Sequence, residues 1–231
     1  MKVGWAGATH VGARDNQQDA LLADGWVSVR DGRCGGEKEL SSAEHLVFGV
    51  FDGMGGHAGG DVASRLGASV VGAADPGTAE ALVAAIGRAD RTVAAAGQLP
   101  GLSGLGSTAA TVLLMDGSYI VATVGDSFVF RRAFEVVGSI GARDTVETAL
   151  GPRITQCLGW GCEPHVDTYE VGVPVRLLLC SDGLGDYAST RQIETGLAEP
   201  DLGRSAVYLM DAAVQAGAPD NVALLVIDLV M

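Results

Sequence analysis

The chain contains 231 residues, of which 48% are hydrophobic and 19% charged, and 28 acidic against 15 basic side chains give a formal net charge of −13. This composition excludes a disordered chain, because there is ample apolar material for a core. The acidic balance argues against nucleic acid or an anionic membrane as a partner, since both select basic surfaces. No apolar run approaches the roughly 20 residues that cross a bilayer, and no secretory core follows the N-terminus, so we expect a cytoplasmic protein.

Four cysteines are scattered along the chain, at positions 34, 157, 162 and 180. We expect them to be free thiols, because a reducing compartment does not maintain disulfides. Cys157, Cys162 and His165 resemble half of a zinc site, but a matching second pair of ligands is missing. The spacing therefore does not favour zinc.

The length and the lack of internal repeats favour a single domain that spans residues 1–231. Two segments interrupt the apolar pattern. Glycines and charges in 30–42 predict a surface loop between strands, and the sequence GQLPGLSGLG in 97–106 predicts a flexible connector. Neither segment has the composition of a linker between domains.

Short runs rich in β-branched residues predict eight strands, and apolar residues at helical spacing predict four helices. Thr78 is the expected N-cap of the second helix, and Asp116-Gly117 is the expected tight turn of a hairpin. Groups of strands separated by pairs of helices favour a layered α+β fold over a doubly wound parallel sheet. The predicted strands are 2–9, 20–24, 45–51, 108–115, 119–124, 128–132, 175–180 and 222–230, and the predicted helices are 59–71, 79–96, 190–197 and 204–216.

Four aspartates stand at the ends of predicted strands, beside glycine, serine or asparagine. They are Asp52 in VFGVFDGMGGH, Asp126 in IVATVGDS, Asp182 in LLLCSDGL and Asp220 in GAPDNVALLV. One such aspartate is usually a solvated turn residue. If the strands pack as one sandwich, however, the four strand ends converge and their charges require a cation. Oxygen ligands select magnesium or manganese rather than zinc, and two such ions activate a shared water for hydrolysis of a phosphate ester.

A phosphatase site also needs groups that hold phosphate and transfer protons. Arg14, between two predicted strands, is the candidate for binding the phosphate oxygens through its paired N–H donors. Asp19 is placed to join the carboxylate cluster or to orient a water on the metal. His57, in the glycine-rich turn after Asp52, is the candidate proton donor to the leaving alkoxide. Taken singly, Arg14 and His57 are typical of exposed surface residues.

Six short motifs follow one another across nearly the whole chain. They are DGMGGHAGG (52–60), GSTAAT (106–111), VGDS (124–127), ITQCLG (154–159), LLLCSDGL (177–184) and PDN (219–221). In this order they resemble the metal-dependent type 2C protein serine/threonine phosphatases, particularly the bacterial branch. The resemblance implies a central β-sandwich of two mainly antiparallel sheets flanked by helix pairs, in four layers α-β-β-α. It also implies a binuclear manganese or magnesium site at one end.

The resemblance implies a role for each candidate residue. Asp52 bridges the two ions, the Gly53 carbonyl binds one of them, and Asp182 and Asp220 complete the ligand set. Asp126, with Asp182, holds a weaker third ion. The remaining roles are phosphate binding by Arg14, an acidic residue near the metals at Asp19 and the general acid at His57. Phosphoprotein substrates and a serine/threonine kinase as the counterpart enzyme are implied as partners.

The sequence departs from the family pattern in three places. Gln17 and Gln18 precede Asp19, where the family commonly has asparagine and then glutamate or glutamine. Phe128 stands where an arginine commonly follows Asp-Ser, which removes a charge near the sheet. The stretch 132–154 is shorter than usual and lacks the Asp-His-Ser segment and the following flap helices. We therefore expect a reduced flap, a more open cleft and relaxed intrinsic specificity.

Three alternatives remain open at the level of sequence. The first is a non-catalytic, regulatory member of the same fold that binds phosphoproteins, for which the shortened flap is the motive. The second is a related phosphatase that acts on a sigma-factor regulator and shares the fold and metals. The third, a nucleotide-binding enzyme, rests on the glycines of 53–60, but that turn lacks the lysine of a phosphate-binding loop.

Overall fold

Two six-stranded antiparallel sheets pack face to face at the centre of the structure. The structure is a computed structural model, and it describes residues 1–28, 30–55, 59–149 and 151–231. The strands are β1 (Lys2–His10), β2 (Ala20–Ala23), β3 (Trp26–Ser28), β4 (Gly32–Glu39), β5 (His45–Phe51), β6 (Gly53–Met54), β7 (Gly106–Ser107), β8 (Ala109–Met115), β9 (Ser118–Val124), β10 (Phe128–Ala133), β11 (Val136–Ile140), β12 (Thr145–Thr148), β13 (Gly151–Ile154), β14 (His165–Glu170), β15 (Val175–Cys180) and β16 (Val222–Val230). The first sheet has the order β11-β10-β15-β16-β1-β4, and the second has the order β14-β9-β8-β5-β2-β3. Two short ladders, β6-β7 and β12-β13, lie outside these sheets.

Most inner strands are apolar on both faces, because each sheet is covered on both sides. In β5, Leu46, Phe48 and Val50 face the opposite sheet. Val47 and Phe51 alternate with them and face the helices. This alternation follows from the two-residue period of a strand, and a continuous apolar run is therefore expected wherever both faces are buried.

Helices cover both outer faces of the sandwich. They are α1 (Gly60–Ala74), α2 (Ala79–Ala96), α3 (Asp182–Gly185), α4 (Thr190–Ala198) and α5 (Leu202–Gln215). The first two pack on the second sheet and the last two on the first sheet, which gives four layers in the order α-β-β-α. Within the residues described, none of the helices is both long enough and apolar enough to span a membrane.

The predicted elements are confirmed by the structure. Each of the eight predicted strands and four predicted helices is present, and their ends shift by at most three residues. Thr78 caps α2 as expected, because its hydroxyl oxygen accepts a hydrogen bond from the Ala81 N–H at 3.2 Å. The turn at Asp116-Gly117 joins β8 to β9, with Gly117 at a φ of 80°. The expected α+β sandwich with antiparallel sheets is therefore observed.

The prediction of a surface loop at 30–42 is wrong. Eight of these residues form β4, which pairs with β1 along its whole length at the edge of the first sheet. Glycine in this segment is needed for packing and does not only indicate a loop, because a Cβ on Gly36 would overlap the ring of Trp5. Charged side chains are tolerated there since one face of an edge strand remains in water.

The stretch 132–154, for which the sequence predicts a reduced flap, consists mainly of strands. The end of β10, β11 and the β12-β13 hairpin account for most of it, and no helix occurs in its described part, 132–149 and 151–154. Ile154, at the end of β13, lies in the lining of the cleft described below.

Candidate active site

A cleft of about 470 Å³ lies where the ends of several strands meet. In the first sheet, His10 at the end of β1 pairs with Val222 at the start of β16. The loop after β1, which carries Arg14, and the turn before β16, which carries Asp220, are therefore neighbours. Asp19 lies buried beside the cleft, and His57 falls outside the described residues. The other predicted site residues all line the cleft: Arg14, Asp52, Gly53, Asp126, Asp182 and Asp220.

Hydroxyl groups hold the turn after β5 in place. The Asp52 N–H donates to Thr108 Oγ1 at 2.9 Å, and the Asp52 carbonyl accepts from the Thr108 N–H at 2.8 Å. Thr108 Oγ1 lies 2.8 Å from Ser127 Oγ, in the turn that carries Asp126. The two aspartate-bearing turns are thus joined through Thr108, which directly precedes β8.

Asp19 and Asp182 are linked by a buried serine at the end of β15. Ser181 Oγ donates to Asp19 Oδ2 at 2.8 Å and accepts from the Ala223 N–H at 2.9 Å. Asp182 follows directly as the first residue of α3. A side chain 162 residues away along the chain therefore fixes the orientation of Asp19.

Asn221 ties the loop that carries Arg14 to the turn that carries Asp220. Its side-chain amide donates to the Asn16 carbonyl at 3.0 Å, and its side-chain oxygen accepts from the Gln18 N–H at 2.8 Å. Arg14 Nη2 then forms an ion pair with Asp220 Oδ2 at 2.6 Å. The guanidinium is half-exposed and therefore remains accessible from the cleft.

Gly53 is required by a close approach of backbones. A Cβ at this position would overlap the carbonyl oxygens of Gly60 and Gln18. A side chain would displace the turn that carries Asp52, so the sequence Asp-Gly is dictated by space as well as by turn formation.

Burial and mutual repulsion raise the pKa of the clustered carboxyl groups. Burial first, and neighbouring carboxylates second, raise the pKa of Asp19 to about 8 and that of Asp182 to about 6. The pKa of Asp52 is raised well above its ordinary value by burial and then by Asp19 and Asp182. Burial also raises the pKa of Asp126, against an opposing effect of Arg143. Among the described residues, the side-chain cations near the cleft are therefore too few to balance these carboxylates.

The donor set fits hard divalent cations. Every candidate ligand contributes oxygen, which magnesium and manganese prefer. Asp182 Oδ1 is buried and has no hydrogen-bond partner, which is costly unless a ligand satisfies it. No three histidine, cysteine, aspartate or glutamate side chains in the described ranges already surround a common point. The charges of Asp19 and Asp182 raise the pKa of Asp52, so bound ions would replace protons among these groups.

The carboxyl cluster predicts an unusual dependence of stability on pH. A carboxyl group whose pKa is raised by folding stabilises the folded state fully below about pH 4 and loses this contribution as the pH rises through the folded value. For Asp182 and Asp19 those values are about 6 and about 8. With a chelator present, we expect the free energy of unfolding in urea to fall by about 1 kcal/mol or more per pH unit between about pH 4 and pH 8.

Asp19→Asn serves as the internal control for this slope. The substitution removes the group with the pKa of about 8, so the decline above about pH 6 should flatten. Saturating manganese should reverse the slope, because ions bind the ionised carboxylates. A free energy of unfolding that rises across the range without metal would contradict the argument from burial.

Several residues that organise the site have no assigned role in the sequence analysis. Thr108, Ser127, Ser181 and Asn221 all lie inside the quoted motifs, but the groups they hold are distant along the chain. For Ser127, Ser181 and Asn221 the available signal was a hydroxyl or amide directly beside a candidate aspartate, whereas Thr108 has no such neighbour. His165, considered with Cys157 and Cys162, has its Nε2 2.9 Å from Asp144 Oδ1, and both cysteines are free thiols.

Comparison with known proteins finds serine/threonine phosphatases that match most of the chain and not only the short motifs. No family model matches the chain. The serine/threonine protein phosphatase PstP of Mycobacterium tuberculosis is 33% identical over 209 residues, which cover 80% of this chain and 40% of that protein. The serine/threonine phosphatase stp of Listeria monocytogenes is 26% identical and is matched over 84% of this chain and 88% of its own. The chain thus spans about two fifths of the length of the mycobacterial relative.

Solved structures agree with these relatives. The catalytic domain of PstP in complex with two manganese ions superposes with a TM-score of 0.83 at 28% identity, and the match covers 100% of both chains. The four-layer sandwich is therefore shared with that catalytic domain along the whole chain. The chain belongs to the metal-dependent type 2C (PPM) family of serine/threonine phosphatases.

Proposed function

We propose that residues 1–231 form a single catalytic domain that hydrolyses phosphoserine and phosphothreonine esters of proteins with manganese or magnesium. The observation that carries this proposal is the meeting of Arg14 with three carboxylates from distant parts of the chain, Asp52, Asp182 and Asp220, in one cleft. An arginine beside oxygen ligands for divalent ions suits a phosphate ester, whose oxygens need both kinds of contact. The names of the relatives support the same reaction class.

The proposed ligand set follows the strand ends. Asp52, the Gly53 carbonyl, Asp182 and Asp220 would hold the two ions. Asp126, with Asp182, would hold a weaker third ion. The bound ions supply activation of the attacking water and neutralisation of charge on the phosphoryl group. In support, these residues share the cleft, and the buried Oδ1 of Asp182 lacks a partner.

The remaining roles belong to groups that hold substrate or orient ligands. Arg14 binds the phosphate oxygens that do not react, and it approaches them from its ion pair with Asp220. Asp19, held by Ser181, is the acidic residue near the metals, and its carboxyl group is close enough to Asp52 to affect the pKa of that ligand. His57, which lies outside the described residues, is proposed to donate a proton to the leaving alkoxide.

The biological setting of this reaction is part of the proposal. A cytoplasmic enzyme of this class removes phosphate added by a serine/threonine kinase, which makes such a kinase the counterpart in signal transduction. Relaxed intrinsic specificity is expected, because the described part of 132–154 contains strands and no helices over the cleft.

Titration with metal ions tests the proposed function. The wild-type protein should hydrolyse p-nitrophenyl phosphate and phosphoserine or phosphothreonine peptides when manganese is added, and a chelator should abolish turnover. Asp220→Ala should need more manganese and reach a lower rate, because one ligand and the partner of Arg14 are lost. Binding of a phosphopeptide without turnover in excess manganese would overturn the proposal in favour of a non-catalytic, regulatory protein.

A further inference from the structure

The turn that carries Asp126 is held by two consecutive residues from another segment. The Asp144 N–H donates to the Gly125 carbonyl at 2.7 Å, and the Gly125 N–H donates back to Asp144 Oδ2 at 2.9 Å. Arg143 Nε donates to the Asp126 carbonyl at 2.6 Å. Residues 143 and 144 therefore bind the backbone of both residues of this turn.

Asp144 is itself fixed from behind. Its side chain is only 6% exposed, and its Oδ1 lies 2.9 Å from both Gln156 Nε2 and His165 Nε2. Its carbonyl accepts from the Thr155 N–H at 2.8 Å. The segment between β11 and β12 is thus anchored independently of the turn it holds.

Arg143 reaches from this anchor to the element that carries Asp182. Its guanidinium lies 3.8 Å from the centre of the Phe128 ring, and its Nη2 lies 3.4 Å from Asp186 Oδ1. Asp186 ends α3, whose first residue is Asp182. The Phe128 ring also lies against Gly185 so closely that a Cβ there would overlap it. One cation therefore bridges the turn of Asp126 and the helix of Asp182.

This arrangement changes the interpretation of Phe128. From the sequence, Phe128 marks the loss of a charge near the sheet, but in the structure Arg143 places a cation over its ring. An arginine stacks on an aromatic ring and keeps its N–H donors free for other contacts. Phe128 is thus a platform on which Arg143 lies.

We propose that Arg143 is a positioning residue that holds Asp126 and Asp182 at the separation needed to share a divalent ion. The inference rests on the proposed function for the identity of the ion, but its geometry concerns only this chain. Arg143 does not touch the substrate or the ion. It acts through the Asp126 carbonyl and through Asp186.

Two roles for this cation predict opposite effects on metal binding. If Arg143 acts only as a nearby positive charge, its removal should strengthen the binding of cations by relieving repulsion. If it positions the two aspartates, its removal should weaken binding although a repulsive charge is lost. Arg143→Lys keeps the charge but loses the planar fork, so it should also weaken binding only in the second case.

Exposed Arg153, on the neighbouring β12-β13 hairpin, offers a matched control. Arg153→Gln removes the same charge close to the cleft without altering the contacts of the turn. Titration calorimetry with manganese should show the weakest site weakened by about tenfold in Arg143→Gln, less in Arg143→Lys, and unchanged or slightly tightened in Arg153→Gln. Equal or tighter binding in Arg143→Gln would overturn the proposal.

Hydrogen exchange of the metal-free protein separates this inference from the proposed function. Amides of the turn at 125–126 should exchange about tenfold faster in Arg143→Gln than in wild type, while those of the sheet remain protected. Unchanged exchange at the turn would overturn the positioning role, whether or not the protein is a phosphatase. Faster exchange together with a wild-type protein that binds no manganese would overturn the proposed function and leave the structural role of Arg143 supported.

Discussion

Asp52→Asn is expected to reduce phosphoester hydrolysis by on the order of 10³-fold and to leave the metal-free protein at least as stable as wild type. The activity falls because the proposed bridging ligand loses its charge. The stability does not fall, because the charges of Asp19, Asp182, Asp126 and Asp220 surround Asp52, and a neutral amide removes that repulsion. A mutation that disables a site and also stabilises the fold is a signature of clustered ligands.

The measurements are kcat/KM at saturating manganese, the stoichiometry of manganese binding, and thermal unfolding with a chelator. Asp211→Asn on α5 is the matched control, since Asp211 is exposed and is not among the residues that line the cleft. It should change none of these quantities beyond about twofold in rate. Activity retained in Asp52→Asn at saturating manganese would contradict the assigned ligand, and a collapse of thermal stability would contradict the electrostatic argument.

The fold was largely predictable because local patterns and tertiary structure agree. Strands buried on both faces appear as short apolar runs, and Leu82, Ile86, Ala89 and Val93 mark the buried face of α2. Strands that lie at sheet edges escaped prediction. β4 contains glycines whose need comes from Trp5, and β14 presents mostly exposed polar side chains. Their pairing is decided by a neighbour rather than by their own composition.

The site was predictable in composition but not in geometry. Each aspartate after a strand was visible, yet only the resemblance or the structure brings Asp52, Asp182 and Asp220 to one place. The side chains that orient them were not assigned. Ser181 acts on Asp19 across 162 residues, and a local pattern carries no information about a contact of that separation. The same reason explains why Phe128 alone suggested a missing charge that Arg143 supplies.

Arg14→Gln is expected to lower kcat/KM for phosphopeptides by roughly 100-fold, mainly through a higher KM. Arg14 lines the cleft, where its proposed role is to bind phosphate, and it is paired with Asp220 Oδ2 at 2.6 Å. Loss of the guanidinium removes two parallel donors to the phosphate oxygens. The inhibition constant for inorganic phosphate should therefore rise in parallel with KM.

Metal binding distinguishes this role from metal ligation. Arg14→Gln frees Asp220 from its counterion, so manganese should bind as tightly as in wild type or more tightly. The control is Arg65→Gln, which breaks an Arg-Asp pair of similar length, 2.7 Å to Asp61, on the surface of α1. That exposed pair contributes little to stability and nothing to the cleft, so the control should behave as wild type. Phosphate inhibition that is equal in all three proteins would remove Arg14 from the substrate site, because a phosphate-binding cation cannot be lost without weakening its anion.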